Sequence, residues 1–127
     1  MAEKRKTIRF QSEGGTYVAL GTNFTKVGRL IDISTGGLAF RYIDVNKDDA
    51  QDSTTVAVFS SKIEFYLPDL ACRLIYDSSI KEFNLAEYFK KSLRINRCGI
   101  QFTALDENQS DQLDFFIRHH TCPLSLL

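Results

Sequence analysis

The stretch Val27–Tyr42, VGRLIDISTGGLAFRY, decides how this chain is read. Two apolar-rich runs flank a polar hexad, DISTGG, at positions 32–37. In the second run Leu38, Phe40 and Tyr42 alternate with Ala39 and Arg41, so one face is bulky, as in a half-buried strand. The hexad admits two readings. As a plain turn, Asp32 and Ser34 hydrogen-bond their own backbone, and Gly36 and Gly37 take positive φ so that the chain reverses sharply. As half of a ligand site, Asp32 and Ser34 stand one residue apart in extended chain and point the same way, while Ile33 points to the core. The glycines then let a ligand approach the backbone.

The pattern continues on both sides. TYVALG (16–21), TKVGRLIDI (25–33), LAFRY (38–42), TVAVF (55–59), KIEFYL (62–67), ACRLIYD (71–77) and LRINRCGIQFTAL (93–105) read as short strands rich in β-branched and aromatic residues. Pro68 is expected to stop the fifth of these, and Gly99 inside the last predicts a bulge or a close backbone approach. SSIKEFNLAEYFKKS (78–92) fits either a short helix or a loop folded back over the barrel. The chain then changes period. Leu113, Phe116 and Ile117 form one helical stripe. Asp106 or Asn108 is placed to cap its start, Arg118 and His119 suit its end, and Pro123 follows. Short strands followed by one helix, with no strand–helix alternation, predict a mainly β fold: a small antiparallel barrel with a C-terminal helix at about 106–120 across one opening.

Bulk properties narrow the function. The 127 residues suit one domain, and 16 basic residues balance 16 acidic ones, which counts against a general nucleic-acid or membrane-surface binder. No signal peptide and no apolar run long enough to insert in a membrane is present, so a cytoplasmic protein is expected. Cys72, Cys98 and Cys122 lie too far apart for a disulfide framework or a structural zinc site and read as free thiols. In the acidic connection 43–54, Asp44, Asn46, Asp48 and Asp52 fit alternate positions of a calcium loop. Asp49 replaces its turn glycine and Thr55 its final glutamate, so a solvated loop is expected. Neither His119 nor His120 has a convincingly spaced ligand partner, and a Cys98–His119 pair lacks a third, orienting residue. No metal site, no cofactor, no catalytic residue and no enzymatic activity are expected.

The partner of the hexad lies near the N-terminus. Residues 1–14 read as a flexible basic arm too polar for a core element; over the first nine residues Lys4, Arg5, Lys6 and Arg9 oppose only Glu3. RKTIR (5–9) places Arg5 and Arg9 four apart. Arginine forks bind phosphate oxygens or the O6/N7 edge of guanine, and an aspartate accepts from the N1/N2 edge. With these residues in view, the sequence resembles the PilZ family of bacterial cyclic di-GMP receptor domains. Arg5 and Arg9 match its RxxxR motif, and Asp32, Ser34 and Gly37 match (D/N)xSxxG. RCGIQF (97–102) and the helix containing QLDFFI (112–117) are similar to its closing strand and terminal helix.

The resemblance covers roughly residues 5–118. It implies a six-stranded antiparallel barrel with a C-terminal helix over 15–122, preceded by the arm. It further implies a site in which Arg5 and Arg9 clamp phosphates and guanine edges, Asp32 and Ser34 bind guanine, and Gly37 keeps the surface clear. Lys4 stands where many members carry another arginine. Arg29, Arg41 and Arg97 read as outward-facing barrel residues, with a supplementary role at the site as the alternative. The implied function is a non-enzymatic cyclic di-GMP receptor that signals to a protein partner as its arm orders, with homodimer formation left open. The alternative is a PilZ-fold adaptor that binds a protein partner without nucleotide. A barrel that binds RNA or DNA is a more distant alternative, and neither nucleic acid is an expected partner.

Overall fold

The computed structural model describes residues 9–12, 14–21, 24, 26–44, 54–84 and 92–123. Among the described residues eight strands and a helix follow one another: β1 (Phe10–Ser12), β2 (Thr16–Leu20), β3 (Lys26–Ile33), β4 (Gly37–Asp44), β5 (Thr55–Ser60), β6 (Phe65–Asn84), β7 (Ser92–Ala104), α1 (Glu107–His120) and β8 (Thr121–Pro123). The sheet runs β2-β5-β6-β7-β4-β3, and β3 pairs back onto β2, which closes a six-stranded barrel with every pairing antiparallel. Closure removes the exposed strand edges that an open sheet of this size would carry.

The alternating apolar residues explain the barrel interior. Val18, Leu20, Leu30, Phe40, Val58, Leu70, Cys98 and Ile100 belong to one core cluster, and Leu113, Phe116 and Ile117 of the helix join it. Phe65 stacks on Phe116 with ring centroids 4.8 Å apart. Asp106 is the cap: its carboxylate accepts from the Gln109 backbone N–H at 2.7 Å, while the Gln109 side chain accepts from the Asp106 N–H at 3.1 Å. The Gln109 side-chain amide also donates to the Asp69 carbonyl at 3.1 Å, which pins the helix start to β6.

Three expectations are corrected. Residues 62–67 and 71–77 are not two strands divided by Pro68; one strand, β6, runs from Phe65 to Asn84. Pro68 and Asp69 sit where the β5–β6 register slips, with Val58 opposite Leu67 and Val56 opposite Leu70, and Asp69 takes φ 57°. A bulge is where a strand tolerates proline, because no ladder N–H is required there. Residues 78–84 are neither helix nor folded-back loop but the continuation of β6, paired to β7 as far as Asn84–Ser92; residues 85–91 lie outside the described residues. The polar arm contributes a strand, β1, which pairs Phe10 with Ile33 of β3 and lies antiparallel to β8. Phe10 packs against the core cluster. Most of the acidic connection also lies outside the described residues; Asp44 at its edge binds Arg94 at 2.6 Å.

Among the described residues no helix is long and apolar enough to cross a membrane. Inside the barrel the Tyr42 hydroxyl donates to Asp77 at 2.7 Å, and the Asn96 amide donates to Asp77 at 3.1 Å. Burial, and then the Asp77 bond, push the Tyr42 hydroxyl far above its ordinary range. Burial, with Asp77 adding to it, pushes the neighbouring Cys98 thiol up to about 12. Both groups are neutral when folded and ionise more easily when unfolded, near ~8.5 for the thiol and ~10 for the phenol. Their stabilisation is therefore full below those values and is lost as pH rises. The urea midpoint is expected to stay level up to about pH 8.5 on this account and to fall above it. Ellman's reagent at pH 8 should label the exposed Cys122 rapidly and the buried Cys72 and Cys98 only on unfolding; equal rates at all three would contradict the burial.

Candidate functional site

One local irregularity builds the site. In β3 and β4, Leu30 faces Phe40 but Asp32 faces Ala39, so Ile31 is an extra residue in β3. Leu30 and Asp32 share parity and would share the barrel interior in a regular strand. The bulge shifts the parity: Leu30 and Ile33 both enter the core, and Asp32 turns to the outer face. There it is covered, with only 4% of its surface exposed.

What covers it is Arg9. The Arg9 guanidinium donates to Asp32 Oδ1 through Nε at 3.1 Å and to Oδ2 through Nη2 at 2.8 Å, a two-pronged pair across 23 residues of sequence. The pairing of Phe10 with Ile33 sets the arm beside β3 and delivers Arg9 there. Arg97 approaches from β7, its Nη2 3.5 Å from Asp32 Oδ2, while its Nε donates to the Tyr76 hydroxyl at 2.9 Å. One buried carboxylate thus lies between two guanidinium groups.

The hexad turns out to be a turn and a cleft wall at once. Ser34 follows the turn reading: its hydroxyl accepts from the Gly36 N–H at 3.1 Å, and its N–H donates to the Gly37 carbonyl at 2.8 Å. The Gly36 carbonyl accepts from Phe102, which ties the turn to β7. Neither Gly36 nor Gly37 takes positive φ. Gly37 is needed for a different reason: a Cβ there would sit 2.2 Å from the Ile100 carbonyl oxygen.

Arg9, Asp32, Ser34, Gly37, Ala39 and Tyr76 line a cleft of about 220 Å³ on the outer face of the barrel. Its floor is a register row of small residues: Asp32, Ala39 and Gly99 lie opposite one another, and Tyr76 faces Gly99. A Cβ on Gly99 would meet the Tyr76 ring at 2.3 Å, so the ring lies over the glycine. This is the close approach predicted for Gly99. The cleft therefore brings together four of the five residues singled out from the sequence, Arg9, Asp32, Ser34 and Gly37; Arg5 lies outside the described residues. The sequence reading missed Tyr76. An aromatic residue on the strand paired with the Gly99 strand was the available signal.

No protein-family profile and no curated protein matches the chain. Solved structures do match. The c-di-GMP-bound PilZ domain of YcgR from Escherichia coli superposes with a TM-score of 0.63 over 91% of this chain and 90% of that one, at 15% identity. The fold is a PilZ fold. The complete YcgR–c-di-GMP complex gives a TM-score of 0.61 over 92% of this chain at 14% identity, and the K. pneumonia MrkH–c-di-GMP complex gives 0.55 over 92% at 14%. The chain spans 46% of that YcgR chain and 52% of that MrkH chain.

Two glycines of this PilZ fold make an ordered prediction. Gly37→Ala drives its methyl into a backbone carbonyl fixed in the β4–β7 ladder, whereas Gly99→Ala meets an aromatic ring that can swing outward. Gly37→Ala should cost about 1–3 kcal/mol as an overpacking change, and Gly99→Ala less. Urea unfolding of both variants measures the order; the reverse order would contradict the assigned contacts.

Proposed function

We propose that this chain is a cyclic di-GMP receptor of the PilZ type, and that Arg5, Arg9, Asp32, Ser34 and Gly37 are its ligand residues. The observation that carries the reading is the meeting of Arg9 and Asp32, remote in sequence, in a cleft that also holds Ser34 and Gly37. The solved PilZ structures it resembles were determined with c-di-GMP, which supports the same ligand class.

The chemistry of the cleft suits a guanine nucleotide. Asp32 accepts two parallel hydrogen bonds, the number that the N1–H and N2–H₂ edge of guanine donates. The Arg9 fork matches a phosphate or the O6/N7 edge. The Tyr76 ring gives a planar base an apolar wall. Because Arg9 and Asp32 already hold each other, the ligand replaces charge-assisted bonds with others of the same kind, and Asp32 is not left unpaired while the exchange proceeds, since Arg97 stands beside it. Rearrangement of the arm ahead of β1 would then present a changed surface to a protein partner. The same internal pairing favours one alternative, a PilZ-fold adaptor in which Arg9 and Asp32 serve only to fasten the arm.

Calorimetric titration of the purified chain with cyclic di-GMP, with GTP as control, separates the two. Selective, saturable binding is expected. Arg9→Glu should remove two charge-assisted bonds worth about 1.5–3 kcal/mol each, a loss of roughly 10²–10⁴ in affinity, with the circular dichroism of the barrel retained. A folded wild-type chain that takes no cyclic di-GMP would make it the adaptor.

A further inference from the structure

Beside the cleft stands a second concentration of charge. Arg29 of β3, Arg41 of β4 and Arg97 of β7 are direct register partners, with Arg41 in the middle. Each has the parity opposite to its core-facing neighbours Leu30, Phe40 and Cys98, so all three stand on the outer face. Residues directly opposite one another hold their Cβ atoms about 4.5–5.5 Å apart, and like charges in that position destabilise the sheet. Elsewhere Arg9, Arg94 and Arg118 each hold a carboxylate within 3.0 Å, and Arg73 donates to the Gln101 side chain. Among the described residues neither Arg29 nor Arg41 has an ion-pair or side-chain hydrogen-bond partner. In a chain of zero formal net charge, this row is a local excess that folding does not call for.

The row also has a shape. Arg29, Arg41 and Arg97 line one side of a groove of about 330 Å³, and Ser12 with the Gly14–Gly15 turn lines the other. We propose that this groove is a binding site for a phosphate ester, distinct from the residues assigned to guanine. Guanidinium forks pair bidentately with phosphate oxygens, and three forks outnumber the two oxygens of a carboxylate. Length excludes a nucleic-acid track: three strands at about 4.8 Å spacing give a row roughly 10 Å long, enough for one or two phosphates. A single-strand groove spans about 4–16 nucleotides. Arg97 joins the groove to the neighbouring cleft, since it also touches Asp32 and Tyr76. The phosphate has two sources of the same chemistry: the phosphodiester of a nucleotide seated in that cleft, or a separate phosphate monoester. The site does not depend on the receptor reading.

The test uses the full chain and two probes, pyrophosphate and cyclic di-GMP, titrated into wild type and into Arg29→Gln/Arg41→Gln. Both substitutions are at exposed residues outside the guanine set, and circular dichroism checks the fold; if the double variant fails that check, Arg41→Gln alone carries the test. At least a tenfold loss of affinity for one probe or both is expected. Loss for cyclic di-GMP with no wild-type binding of pyrophosphate assigns the groove to the nucleotide's own phosphodiester. Loss for pyrophosphate alone assigns it to a separate ester, and does so even if cyclic di-GMP never binds and the receptor reading fails. Unchanged affinity of the variant for whatever wild type binds, or a wild-type chain that binds neither probe, overturns the proposal.

Discussion

A single extra residue in β3 governs the outer face of this barrel. Leu30 and Ile33 are apolar and Asp32 lies between them, and no regular strand can place both apolar side chains inside and the carboxylate outside. Without the bulge at Ile31, Asp32 would enter the barrel beside Leu30 and opposite Leu38, where an ionised carboxylate lacking partners costs several kcal/mol. With it, Asp32 reaches the face where Arg9 and Arg97 neutralise it. The arm, the turn and the cleft all follow. The Arg9 side chain is fastened by Asp32, and β1 finds β3 free for pairing at Ile33, beyond the stretch Lys26–Arg29 that β2 occupies.

Charge is then distributed by strand parity. Among the described residues the inward face carries a polar cluster, Tyr42 with Asp77 and Asn96, joined by hydrogen bonds of 2.7 and 3.1 Å to Asp77. The outward face carries two adjacent register rows. One runs from Gly99 through Ala39 to Asp32; the other is the arginine row. Along β4 and β7 they are one pleat repeat apart, about 7 Å, since Ala39 and Arg41 are two residues apart, as are Arg97 and Gly99.

Much of this was legible in the sequence because period and composition are local signals. Five of the six barrel strands, β2 to β5 and β7, the helical stripe at Leu113, Phe116 and Ile117, and a cap at Asp106 or Asn108 follow from alternation, spacing and side-chain chemistry, whereas β6 reads as two strands and the count of six rested on the family resemblance. So did Gly99 as a close approach. What was not legible depended on partners distant in the chain. Pro68 reads as a stop unless a neighbouring strand offers a bulge to accept it. Residues 78–84 lack strict alternation, since much of that stretch is exposed, and take their strand form from β7. Phe10–Ser12 is too short and polar to announce a strand, and forms one between Ile33 and β8. Gly37 looked like a flexible turn residue, yet its constraint is the Ile100 carbonyl on another strand.

Backbone amide shift mapping of the isotope-labelled chain during addition of cyclic di-GMP tests the central claim most directly, because it reports where the ligand sits. The account predicts the largest shifts at Asp32, Ser34, Gly37 and Gly99, where the bulge and the small-residue row build the cleft. Shifts confined to the outer helix face around Phe115 or to the far end of β6, with the Asp32 row unmoved, would contradict it.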